Sequence, residues 1–167
     1  MKKQLFAITQ LLVLAVFPAF SQKYSNDFLS IGVGARAHGM SGAQVSLVND
    51  ITAAYWNPAG LTEIEAPMQA AAMHAEWFGG AGQYDYLSFG KSLKGDRKAF
   101  LAFSLIRLGI DNIPYTINLF NADGTVNYDN VTEFSAADYA LLGSYARKMK
   151  NPALSVGGTV KVVRRVV

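Results

Sequence analysis

Two stretches of this chain alternate residue by residue between apolar and small or polar side chains, and that pattern leaves little freedom in the fold. Over residues 138–148, Tyr139, Leu141, Gly143 and Tyr145 take one parity, while Asp138, Ala140, Ser144, Ala146 and Lys148 take the other. Over residues 154–165, Leu154, Val156, Gly158, Val160 and Val162 are opposed to Ser155, Thr159 and Lys161. A period of two sustained for about ten residues is the mark of a strand with one apolar and one polar face. Weaker alternation predicts strands over 68–77, 84–93 and 98–108, the last disturbed because Phe100 and Ile106 fall opposite Leu101, Phe103 and Leu105. A soluble β-sandwich alternates in the same way, so strand pattern alone leaves that architecture open.

The first residues bear on the choice. Met1-Lys2-Lys3 is a positive start, residues 5–20 are apolar apart from Thr9, Gln10 and Pro18, and Ala19-Phe20-Ser21 places small residues before a cut between Ser21 and Gln22. That is the form of a cleaved secretory signal peptide over residues 1–21. The competing form, an uncleaved anchor, is opposed by Pro18 and the small-residue exit, and with no Cys after the cut a lipoprotein is not expected.

The chain has no Cys, so no disulfide framework holds it together after export. Hydrophobic residues make up 51% and charged residues only 16%, below the roughly 25% usual in soluble domains. Yet after the signal no run approaches the roughly 20 apolar residues of a membrane helix. An exported, apolar, charge-poor chain without a spanning helix points to an all-β fold, a transmembrane antiparallel β-barrel. The net charge of +3 includes Lys2 and Lys3, so the exported part is close to neutral and no nucleic-acid partner is implied.

Connection lengths fit the same reading. Residues 94–97 and 150–152 form short polar turns, residues 77–83 a modest loop, and residues 110–134 a long connection with Pro114 and Asp123-Gly124. Short turns on one side and long loops on the other are the habit of outer-membrane barrels. Asp123-Gly124, flanked by Asn121 and Thr125, is expected to turn a small hairpin inside the long connection. The sequence ends at Val167 within the fifth expected strand, and closure takes at least eight strands. The expectation is therefore an incomplete barrel of about five strands, the front of a longer one. Alone, it is not expected to give a heat-modifiable barrel in detergent.

Residues 32–61, GVGARAHGMSGAQVSLVNDITAAYWNPAGL, are crowded with Gly and Ala and suit a segment wedged into a narrow interior. The run G-A-R-A-x-G-M-x-G-A from Gly34 to Ala43, then Asp50, then W-N-P-A-G-L from Trp56 to Leu61, resembles the PorV/PorQ family of outer-membrane β-barrels associated with type IX secretion. That family is itself similar to FadL-type fatty acid transporters. The run Arg107 to Pro114 also looks like the family. The resemblance implies an N-terminal lumenal plug over residues 22–65 and barrel strands over 66–167. It implies outer-membrane lipid as surroundings, and type IX secretion components or secreted cargo with a C-terminal sorting domain as partners. The alternative it implies is FadL-like transport of hydrophobic small molecules.

Within the plug the residues singled out are Gly34, Arg36, Gly39, Gly42, Asp50, Trp56, Asn57, Pro58 and Gly60. Arg36 is expected to pair with lumen-facing carboxylates, and Asp50 to cap a short helix over 51–55. Asn57-Pro58 is expected to end that helix, because the residue before Pro avoids helical angles. Gly60-Leu61 would then redirect the chain toward the first strand.

Catalytic signatures fail on inspection. A dinucleotide fingerprint starting at Gly32 needs Gly where Ala37 stands, and a G-x-S-x-G elbow around Ser41 needs Gly where Ala43 stands. His38 and His74 have no triad around them, and Asp123, Asp129 and Glu133 lack the spacing of a calcium loop. The expectation is a protein that is not an enzyme and that carries no cofactor and no metal.

Overall fold

The computed structural model describes residues 26–93, 98–121 and 124–167. The proposed signal peptide and the expected turn at 94–97 lie outside the described residues. Five antiparallel strands form one sheet in the order β1-β2-β3-β4-β5, each paired with its neighbour in sequence. They are β1 (Met68–Trp77), β2 (Gly82–Leu93), β3 (Ala99–Tyr115), β4 (Thr132–Lys148) and β5 (Ser155–Val166). The sheet is not closed: β1 and β5 each have one paired edge. All five expected strands are present, so the chain is mostly β.

The expectation of a long unpaired connection over 110–134 is corrected. β3 and β4 are each 17 residues long, and Ile113, Pro114 and Tyr115 pair with Phe134, Glu133 and Thr132. The register shifts between Ile110 and Ile113, where Asn112 takes a φ of 56°. A bulge of that kind adds a residue and reverses the parity of everything beyond it. Alternation therefore breaks in the sequence where the strand does not. The true connection is 116–131, and inside it an isolated bridge pairs Phe120 with Val126, with Gly124 at a φ of 82°. That is the small hairpin expected there, although Asp123 lies outside the described residues. Between β4 and β5, Asn151 holds the turn: its side chain accepts from the Ala153 N–H at 3.0 Å and its carbonyl from the Leu154 N–H at 3.0 Å.

The sheet's two faces are unlike. One parity presents Leu87, Phe89, Phe103, Leu141, Val160 and Val162 to the outside, and Val160 is 72% exposed. The other parity carries small, hydroxyl and aromatic residues and is covered by residues 26–67, which run as short helical turns across it. Two apolar clusters join this inner segment to the sheet. In one, Val48, Ile51, Ala54 and Leu61 meet Phe100, Ala102 and Ala146; in the other, Phe28 and Val33 meet Tyr84, Tyr86, Ile106 and Leu142. Phe100 and Ile106, which spoiled the alternation of β3, are both fully buried in these clusters. They break the pattern because the inner face has its own core to fill.

Candidate functional site: the contact between inner segment and sheet

The inner segment is shaped by two close approaches at its start. Gly32 (φ 89°) lies under the Trp56 ring, where a Cβ would come within 2.9 Å of the indole, and Trp56 Nε1 donates to the Val33 carbonyl at 2.9 Å. Only glycine takes that backbone conformation without strain. The Gly34 N–H points at Met73 Sδ on β1, 3.2 Å away. The helix Ala35–Gly39 ends through Ser41 and Gly42, both with positive φ, and Gly42 donates its N–H to the Ala37 carbonyl at 2.8 Å.

Asp50 does not cap a helix over 51–55: the helix begins at Ala53 with Thr52 as its N-cap, and Asp50 instead turns the chain just ahead of it. Its Oδ1 accepts from the Thr52 N–H at 2.8 Å and from the Thr52 hydroxyl at 2.5 Å, just ahead of the helix Ala53–Trp56. Gln44 Nε2 reaches Thr52 Oγ1 at 3.3 Å, which ties the preceding loop to the same point. Asn57 is extended (φ −155°) and ends the helix; Pro58 opens the 3-10 turn Pro58–Glu63. Asn57 Nδ2 holds the Val45 carbonyl at 3.1 Å. Gly60 sits against Val48, where a Cβ would be 2.6 Å from the carbonyl oxygen, so its lack of a side chain permits that fold-back.

One expectation is not met. Arg36 is exposed and makes no ion pair among the described residues. The reason is local: Ala37, not Arg36, is the residue of that helix turned to the interior. Gly39 has open space around it, and nothing in the structure requires glycine there.

The sheet supplies the other half of the contact, through residues not singled out from the sequence. The Ser144 and Thr159 hydroxyls lie 3.1 and 3.0 Å from the Ala54 carbonyl and 2.7 Å from each other. Two hydroxyl protons thus serve three short contacts, and the carbonyl at the end of the inner helix is always satisfied by at least one. Thr62 and Ser155 join their hydroxyls at 2.9 Å, Lys148 Nζ meets Glu63 at 3.2 Å, and Lys161 lies over the Tyr55 ring. Tyr55 itself donates to the Leu29 carbonyl, and burial pushes its hydroxyl pKa up from the ordinary 10.0. At Gly157 backbone meets backbone: a Cβ there would fall 2.5 Å from the Ala59 nitrogen. The sequence signal for this half was the small and hydroxyl parity of β4 and β5.

Among the described residues no three His, Asp or Glu side chains converge as a metal site requires. His74 pairs with Asp85 at 2.6 Å on the outer face, and Asp85 also accepts from Arg107 at 3.1 Å. Comparison with protein-family models, with curated proteins and with solved structures returns no match.

Proposed function

We infer that this sheet is part of the wall of a FadL-like outer-membrane β-barrel and that the inner segment is its lumenal plug. The observation that carries the reading is the reversal of faces. Large apolar side chains point away from the core on β2 to β5, over an area that water would penalise. The covered face carries the hydroxyls of Ser88, Ser104, Ser144 and Thr159 beside the buried Tyr84, Tyr86, Phe100, Ile106 and Leu142. A barrel wall in lipid has this arrangement, with large apolar side chains outward on every strand. Inside, the Tyr84 hydroxyl, Trp77 Nε1 and His38 Nε2 find no hydrogen-bond partner among the described residues. Such groups suit a polar lumen better than a dry core.

The role we assign is interaction and not catalysis. By its Gly34–Ala43 and Trp56–Leu61 motifs the chain is read as a PorV/PorQ-like component of type IX secretion, exported by its signal peptide to the outer membrane. There it engages the translocon or cargo bearing a C-terminal sorting domain. The docking role is favoured over passage of hydrophobic small molecules because the segment is fixed to β4 and β5 by hydroxyl contacts, an ion pair and an apolar cluster. The test is deletion of the gene in its native host with proteomics of medium, surface and periplasm. Loss of cargo from the surface with build-up in the periplasm supports secretion. Normal export removes the secretion role and makes uptake of fatty acids or hydrocarbons the next assay.

A further inference from the structure

We propose that the inner segment is a hinged flap: one end stays fixed to β4 and β5 while the other, residues 28–39, lifts off β1 and β2. This rests on the plug reading above. The two ends of the contact differ in kind. Near the β4–β5 turn the segment is bonded and wedged. The Ser144 and Thr159 hydroxyls serve the Ala54 carbonyl, Thr62 meets Ser155, and Glu63 meets Lys148. Gly90 and Gly157 admit it so closely that a Cβ on either would fall 2.5 Å from Ile51 Cδ1 or from the Ala59 nitrogen.

Tyr84 stands about 20 Å along β2 from Gly90, toward the turn at 78–81. At that end Phe28 and Val33 give apolar contact with Tyr84, Tyr86 and Ile106. The segment's one hydrogen bond to the sheet there, among the described residues, runs from the Gly34 N–H to Met73 Sδ, and a thioether is a weak acceptor. The hydroxyl of the fully buried Tyr84, Trp77 Nε1 and His38 Nε2 have no partner among the described residues, and His38 meets the Trp77 ring edge-on at 5.9 Å. Buried polar groups left unpaired weaken a docked position, and water satisfies them once it opens. The segment is bound to itself and moves as one body: Trp56 Nε1 holds the Val33 carbonyl, Tyr55 the Leu29 carbonyl and Asn57 the Val45 carbonyl. That body turns about its attachments at 54–63. The chain leaves it at the fixed end, passing through 64–67 into β1, so the motion does not pull on the sheet.

The chain has no native Cys, so Val33→Cys reports on the free end and Val48→Cys on the fixed one, each a buried valine of one of the two apolar clusters. Outer-membrane fractions of the native host are treated with a water-soluble maleimide, and labelling is followed by mass spectrometry. Val33→Cys should react about tenfold faster than Val48→Cys, the rate following local opening. Tyr84→Phe keeps the ring and removes the unpaired hydroxyl, so it should slow labelling at 33 about tenfold and leave 48 unchanged. Loss of an ordinary stabilising contact would speed it instead. Should Val33→Cys fail to accumulate, Ala37→Cys, at another fully buried position of the same end, takes its place. Equal rates at 33 and 48, a faster rate at 48, or labelling of Tyr84→Phe that is unchanged or faster overturns the proposal. Fractionation separates the two levels. Protein missing from the outer membrane sinks the barrel reading, while protein present there with equal rates at 33 and 48 sinks only the hinge.

Discussion

Replacing Gly157 with alanine tests how tightly the inner segment is held. The added Cβ would lie 2.5 Å from the Ala59 nitrogen, 2.6 Å from the Pro58 carbonyl carbon and 2.9 Å from its oxygen. These are backbone atoms of a 3-10 turn, so no side chain can swing aside. Restoring ordinary contact requires the Pro58–Ala59 peptide to retreat by about 1 Å, an overpacking strain that costs about 1–3 kcal/mol. The same turn carries Thr62, at 2.9 Å from the Ser155 hydroxyl, and Glu63, at 3.2 Å from Lys148. Loss of one such hydrogen bond adds about 1 kcal/mol. Next in the chain, Gly158 faces outward with nothing within 4 Å, and alanine there should be neutral or stabilise by about 0.5–1 kcal/mol.

The assay is thermolysin cleavage within residues 26–67 on the outer-membrane fraction, where the rate follows the population of the opened segment. A cost of about 3 kcal/mol raises that population about 150-fold. Gly157→Ala should therefore be cleaved about two orders of magnitude faster than the unaltered protein, and Gly158→Ala at an unchanged or lower rate. Equal rates for the two variants would refute the reasoning, because they differ only in which face the new methyl group meets.

The same assay reads the hydroxyl pair. Ser144→Ala or Thr159→Ala alone should cost under about 1 kcal/mol, because the other hydroxyl still serves the Ala54 carbonyl; both together should cost about 1–3 kcal/mol, more than their sum. Asp50→Ala removes the hydrogen bonds to the Thr52 N–H and hydroxyl and should destabilise the segment by about 1 kcal/mol, seen as a rise of about fivefold in cleavage. Tyr55 gives a pH dependence of known sign. Its folded-state pKa is raised above 10.0 by burial, so its contribution is intact below pH 10 and falls as pH rises toward the folded value. Tyr55→Phe should flatten that part of the alkaline loss of protection, measured with an alkali-stable protease.

Strand positions were legible in the sequence wherever one face differed from the other. β1 matches its expected span, and β2, β4 and β5 were located by alternation with ends off by a few residues. The bulge at Asn112 hid the end of β3 beyond Ile110, because a parity reversal looks like the end of a strand when read one residue at a time. In the inner segment, termination at Asn57-Pro58 was legible because it is local backbone chemistry, while the helix start was misplaced by two residues. Gly157, Ser144 and Thr159 were not, because their importance comes from atoms about 90 to 105 residues away in the chain. Arg36 misled for the same reason: its charge suggested a partner, but the direction of its side chain is set by Ala37 filling the interior.

The central claim is that the outer face of the sheet meets lipid while the inner face meets the segment. The chain has no native Cys, so single cysteines can be introduced and spin-labelled at positions 103, 104 and 105 in the outer membrane. Collision rates with oxygen, which concentrates in lipid, and with a water-soluble nickel chelate should then alternate. Labels at Phe103 and Leu105 are predicted to meet oxygen but not the chelate, and a label at Ser104 to be shielded from both. Free collision of the chelate with labels at 103 and 105 would place that face in water and contradict the account.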